Sequence, residues 1–300
     1  MKNLINLALL PLLLTVSLAA HADKIDRIID VKSDGRVDIE IMDGHVVIEG
    51  WDKSQVRIVG EVPINGHNFS FETNGSDTKI EHTGEHGFWN KRHGGGSYAD
   101  LTIYAPRNSS FRVDSTSAEY SVKNIQGQVR ANTMSGDISL DGGIGNVDLA
   151  SVSGNVTVTG SYGRLNLSSV SGNIRADGDA KQFEAQTVSG DIRARIGPSN
   201  RINLESVSGD IDLRVKLGKR ARLDANTVSG DIEVEFDSQP INASFEIETG
   251  PGGEVSNLLS NHKANKSFSF SGSMSFTIGN GNSTVNLETM SGTVEIDQSH

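Results

Sequence analysis

One phrase, written six times, limits what this chain can fold into. Between residues 133 and 232 the sequence reads T-M-S-G-D-I, S-V-S-G-N-V, S-V-S-G-N-I, T-V-S-G-D-I, S-V-S-G-D-I and T-V-S-G-D-I. Its glycines, Gly136, Gly154, Gly172, Gly190, Gly209 and Gly230, are spaced by 18, 18, 18, 19 and 21 residues. A unit this short cannot bury an apolar face alone, so it must stack on its own neighbours. Within each unit apolar residues alternate with polar ones, which predicts two short strands. Stacking then aligns residues in columns. One column runs Ile138, Val156, Ile174, Ile192, Ile211, Ile232, and the next Leu140, Val158, Ala176, Ala194, Leu213, Val234. A third runs Leu149, Leu167, Ala185, Leu204, Ala225, and a fourth Val152, Val170, Val188, Val207, Val228. All four are expected inside, with Phe183 refilling the core where Ala176 and Ala185 thin it.

The expected fold is all-β, a single-chain parallel β-solenoid (β-helix) of about ten rungs. Each rung takes 18–21 residues and two short strands. At about 4.8 Å per rung the rod is on the order of 45 Å long. The serines before the glycines, Ser135, Ser153, Ser171, Ser189, Ser208 and Ser229, are expected to stack at the corners, where glycine supplies backbone freedom. Residues 44–60 read as a first, divergent rung, with Val46 and Ile48 in the first strand and Val56 and Ile58 in the second. Residues 23–42 read as a lead-in strand and N-terminal cap. Two irregular insertions interrupt the pattern, near residues 61–98 and 256–284. The first holds strands near residues 69–72 and 78–82 in a projecting hairpin with a glycine-rich tip. Gly253-Glu254-Val255 reads as a weak repeat, Gly279-Asn280-Gly281-Asn282 as a turn, and residues 287–296 as a last rung.

The first 22 residues have a charged start, an apolar run and a small-x-small end at Ala20-His21-Ala22, as in a secretory signal peptide cleaved before Asp23. The apolar run is short of the ~20 residues that cross a membrane. No later stretch approaches that length, so no transmembrane segment is expected after cleavage. The remaining 278 residues, 23–300, are expected to form one domain in the periplasm, on the cell surface or in the medium. Cleavage removes one lysine, leaving 26 basic against 38 acidic residues. That excess disfavours a nucleic-acid partner, which calls for a basic footprint. The absence of cysteine excludes both disulfides and an acylated N-terminal cysteine.

Two features together resemble a known family. One is the repeated [ST]-[VM]-S-G-[DN]-[IV] phrase. The other is the block G-x-V-x-I-x-G-W-D-x-x-x-V-R-I-x-G at residues 44–60. They resemble the bacterial putative-adhesin, β-strand-repeat family, a domain of unknown function. The resemblance implies a parallel β-solenoid in the cell envelope, with no established enzymatic activity and no catalytic motif to carry over.

Three residue sets merit a functional reading. The column Asp137, Asn155, Asn173, Asp191, Asp210, Asp231 offers stacked oxygens that calcium could use, yet lacks the G-G-x-G-x-D spacing of calcium-binding rolls; a turn-forming role is the simpler account. Arg175, Arg193, Arg195 and Arg214 cluster on the outer face of the first strand. They suit either an anionic ligand or pairing with Asp177, Asp191, Asp210 and Asp212. His82, His86 and His93 share one segment with Glu81 and Glu85 without zinc-motif spacing, which favours solvated loop histidines. No nucleophile elbow, phosphate loop or dinucleotide fingerprint is present, and no cofactor is expected. The reading is a non-enzymatic exported envelope protein that binds an envelope glycan or protein through its long side, or scaffolds it. The alternatives are a polysaccharide lyase or hydrolase on a β-helix, and a partner in envelope-stress sensing.

Overall fold

A computed structural model describes residues 22–63, 69–82, 98–237, 240–261, 265–266 and 271–299. Among them every regular element is a strand. Between residues 110 and 236 the chain coils in parallel layers whose register follows the repeat. Val156 lies opposite Ile138 on one side and Ile174 on the other, and Ile174, Ile192, Ile211 and Ile232 continue the column. Leu149, Leu167, Ala185, Leu204 and Ala225 form the matching column of the second strand. All of these residues are buried, as is Phe183. The core is thin but continuous, and a ladder of aliphatic side chains fills it.

Sequence order and stacking order part company at both ends. Strand Arg36–Trp51 lies between two neighbours that both come later in the sequence: residues 43–51 pair with Tyr98–Pro106 on one side and with residues 117–123 on the other. Its first half, residues 36–41, likewise sits between Asp77–His82 and residues 110–115. At the far end, Ser283–Ser291 pairs in parallel with Ile211–Ser229 and also with Ala243–Pro251. Thr293–Gln298 sits the same way between Ile232–Phe236 and Glu254–Asn257. The last layer in the sequence is therefore an interior layer of the stack.

Three expectations change accordingly. The layer begun by Val46 and Ile48 is completed by Val37, Ile39 and Ile41, which therefore belong to the stack and not to the cap expected over residues 23–42, and not by Val56 and Ile58. Gln55–Pro63 instead pairs antiparallel with Ala22–Asp30 and with residues 100–104, as part of the end cap. The Phe69–Asn74 and Asp77–His82 hairpin does not project; it docks on the stack with Ile80 wholly buried. The reason is common to all three. The outermost parallel strands carry unpaired backbone groups, and antiparallel segments cover them. At the C-terminal end Ser271–Ile278 does this, pairing antiparallel with Ala243–Pro251 while Phe245 and Phe276 stack at 4.6 Å. The expected turn at residues 279–282 is present, with Gly279 and Gly281 both at φ +68°.

Candidate functional site

The corner of each layer is built by alternation. In the layer of Ser151, Leu149 points in, Ala150 out, Ser151 in and Val152 out. The inward position after the core leucine is thus a hydroxyl. Thr133, Ser151, Ser169, Thr187, Ser206 and Thr227 are all buried. From Ser151 onward each donates to the carbonyl of the corner glycine one layer away, and Thr289 does so to Gly230, at 2.9–3.5 Å. A buried hydroxyl so paired costs little, while an unpaired one would cost on the order of 1–3 kcal/mol.

The valines, expected inside, are outside. Val152, Val170, Val188, Val207 and Val228 are 44–50% exposed, and Met134 and Met290 extend the row with 60% and 55%. The physical cause is the strand period. Leu149 and Val152 are three positions apart, an odd number, so both cannot face the core of a two-residue repeat. The result is an apolar ladder of seven side chains, about 29 Å long at one step per layer. It stops where the neighbouring layers offer Thr116 at one end and Gly250 at the other. Beside it runs a shallow furrow of about 860 Å3. Its opposite wall is the outward column Asn132, Ala150, Ser168, Gln186, Glu205, Asn226 and Glu288.

The corner serines lie on the solvent side of the ladder, and their backbone N–H groups bond across layers, as Ser153 does to Met134 O at 3.0 Å. The corner glycines are explained by close approach. Of the six, only Gly230 has a positive φ, 158°, close to extended. A Cβ on Gly154, Gly172, Gly190, Gly209 or Gly230 would stand 2.1–2.3 Å from the carbonyl oxygen of the glycine in the preceding layer.

The Asp/Asn column is also structural. The Oδ1 of Asp137, Asn155, Asn173, Asp191, Asp210 and Asp231 each accepts the backbone N–H of the next layer's residue at 2.6–3.2 Å. Among the described residues no group of three or more acidic or histidine side chains is arranged to hold a metal ion.

The four arginines fall in the expected registers, Arg175 opposite Arg193 and Arg195 opposite Arg214. Carboxylates attend three of them. Arg193 meets Asp191 at 3.0 Å, Arg195 meets Asp177 at 3.4 Å, and Arg214 meets Glu235 and Asp237 at 3.5 and 3.3 Å. All are solvent-exposed or nearly so, where such pairs contribute little stability. Further along the same columns the charge turns acidic. Glu233 is held above the usual carboxylate range by partial burial and by Asp212, Glu295, Glu235 and Asp297.

The model of the Toastrack family, DUF4097, matches residues 23–221 and 202–297. The chain belongs to the Toastrack family. Among solved structures it is similar to a putative adhesin from Bacteroides fragilis, at 13% identity over 92% of this chain and 98% of that one, with a TM-score of 0.45. It is also similar to a lipid binding protein, so described provisionally, from Parabacteroides distasonis, at 15% identity over 93% and 97%, with a TM-score of 0.45. A cell adhesion protein from Clostridium sporogenes, likewise provisional, aligns at 11% identity over 93% and 100%, with a TM-score of 0.20. No curated protein matches.

In this Toastrack chain the histidine set does not stand as expected. His86 and His93 lie outside the described residues. His82 is not a solvated loop residue: it ends a strand, opposite Phe69, and is 3% exposed. Its Nδ1 has no hydrogen-bond partner among the described residues. Burial pushes its pKa below the ordinary 6.5. The folded chain therefore resists a proton that the unfolded chain accepts. Stability is full above pH 6.5 and falls as pH drops through 6.5 towards the lower folded value, by at most about 1.4 kcal/mol per pH unit. His82→Phe is expected to flatten thermal melting between pH 7.5 and 5.5 relative to wild type; an equal slope in both proteins would assign the loss elsewhere.

Proposed function

We propose that this Toastrack chain is an exported cell-envelope protein that works without catalysis. It binds or scaffolds through the side of a β-solenoid of about ten rungs. The observation that carries this reading is the valine ladder with its furrow. It exposes on the order of 500 Å2 of contiguous apolar surface, as large as the biggest patch of an ordinary monomer. Nothing in the stacking requires valine at that position, since the hydroxyl column beside it already ties the layers together. A repeated cost of solvent-exposed aliphatic surface fits a face that is covered in use.

The arginine cluster is the second proposed ligand face, for an anionic glycan. Arg175 favours it, being exposed with no ion pair among the described residues, whereas the carboxylates at Arg193, Arg195 and Arg214 compete with such a ligand. The two faces separate in one experiment. The chain from residue 23 is sedimented with bacterial envelope fragments, alongside the double variant Val170→Asp/Val188→Asp and the variant with all four arginines changed to Gln. Loss of binding at least tenfold in the valine variant alone is expected. Loss in the arginine variant alone would move the function to the arginines. Formation of unsaturated ends from uronate-containing polysaccharides would instead favour the lyase alternative.

A further inference from the structure

We infer that the valine ladder is the interface of a parallel two-fold homodimer of this chain, each ladder lying in the furrow of the other copy. This deepens the docking-face reading above and rests on it. The argument starts from shape. Ridge and furrow run side by side, along the same direction and over the same layers, from Met134 to Met290. The furrow is walled along its length by the ladder on one side and by the outward column from Asn132 to Glu288 on the other. A surface made of a ridge next to a matching furrow is complementary to itself. A two-fold axis parallel to the stack and midway between the two seats both ridges at once, which is the condition for a closed, isologous pair.

The polar columns at the flanks agree with that axis. It brings the corner serines of one copy opposite the outer furrow wall of the other, layer by layer. Ser208 then faces Glu205, Ser189 faces Gln186, and Ser171 faces Ser168. Each carboxylate or amide meets a hydroxyl that can donate to it. These serine hydroxyls lie exposed in the single copy, a regular polar column whose outward position the stacking itself does not require. An axis perpendicular to the stack would set ridge on ridge and leave two furrows facing one another, empty. The apolar area of two ladders, about 1,000 Å2, plus the two polar flanks reaches the lower range of stable interfaces, ~1,200–2,000 Å2.

The test uses the chain from residue 23. Sedimentation equilibrium at micromolar concentration is expected to give twice the chain mass. Val170→Asp/Val188→Asp is expected to weaken the dimer at least 100-fold with an unchanged circular dichroism spectrum, because both sites are exposed. Orientation is read with a spin label on Ser135→Cys, the sole cysteine of such a variant. Labels within ~20 Å fit the parallel pair, whereas an antiparallel pair separates them by ~30 Å or more. A monomeric wild type overturns the inference, as does a dimer that survives the valine substitutions or an antiparallel label distance. A monomer whose envelope binding still depends on the valines leaves the docking face standing, with an extended peptide or an acyl chain as its occupant. A monomer whose binding ignores them removes both.

Discussion

Removing residues 283–299 is expected to expose about 40 residues that are not deleted. In a stack laid down in sequence order, the last layer is a terminus, and trimming it shortens the rod by one step. Here that layer lies between Ile211–Phe236 on one side and Ala243–Asn257 on the other. Its side chains Val285, Leu287, Val294 and Ile296 are buried on both flanks. Without them Leu223, Ala225, Ile232 and Val234 lose their neighbours, and residues 243–249 and 254–257 lose their parallel partner. Limited proteolysis of the shortened chain should cut throughout residues 240–278 and spare residues 110–210, whose neighbours are intact. Hydrogen exchange should show the same boundary. One outcome would defeat this account: segment 240–278 sliding up one layer, with Phe245 over Leu223, and protection equal to wild type.

The periodic middle of the fold could be read from the residues, and its registers hold to the residue. Three of the four columns lie where alternation sends them. The fourth failed through a clash between two cues. Valine is strongly apolar and serine is not, so hydrophobicity assigned Val152 inward and passed over Ser151. Parity, counted from Leu149, assigns the reverse, and the structure follows parity. The signal for the candidate face was therefore present in the repeat itself, as [ST]-V two and three residues after the core leucine. The ends were not readable in the same way. That residues 36–51 and 283–298 slip between layers distant in sequence depends on which exposed strand edge each segment covers. Local pattern carries no record of that choice. His82 shows the same limit, since its burial comes from pairing with Phe69 across a hairpin.

Gly172→Ala is expected to be among the most damaging single substitutions in the molecule, at about 3 kcal/mol. The added methyl carbon would lie 2.1 Å from the Gly154 carbonyl oxygen and 2.9 Å from Ser169 Oγ. The first of these is backbone, so no side-chain rotation relieves it. Ser169 cannot retreat without giving up its bond to the same carbonyl at 3.1 Å. Relief must come from separating the two layers. Their spacing is held by the Asn173 N–H to Asn155 Oδ1 bond, while Thr187 Oγ1 on the Gly172 carbonyl ties the same layer to the one beyond. Strain at this corner thus loosens bonds on both sides of the layer, whereas at a terminal corner only one side would suffer. For a chain of this size 3 kcal/mol lowers the melting temperature by roughly 5 °C. Ser171→Ala, one residue away on the exposed edge, is the control and should stay within about 0.5 kcal/mol. Equal melting temperatures for the two variants would mean that the layers tolerate a wider corner, and that close approach is not why glycine recurs there. If the contact is the cause, Gly154→Ala and Gly190→Ala should match Gly172→Ala. Each would place its methyl carbon 2.1 or 2.3 Å from the carbonyl oxygen of the preceding corner.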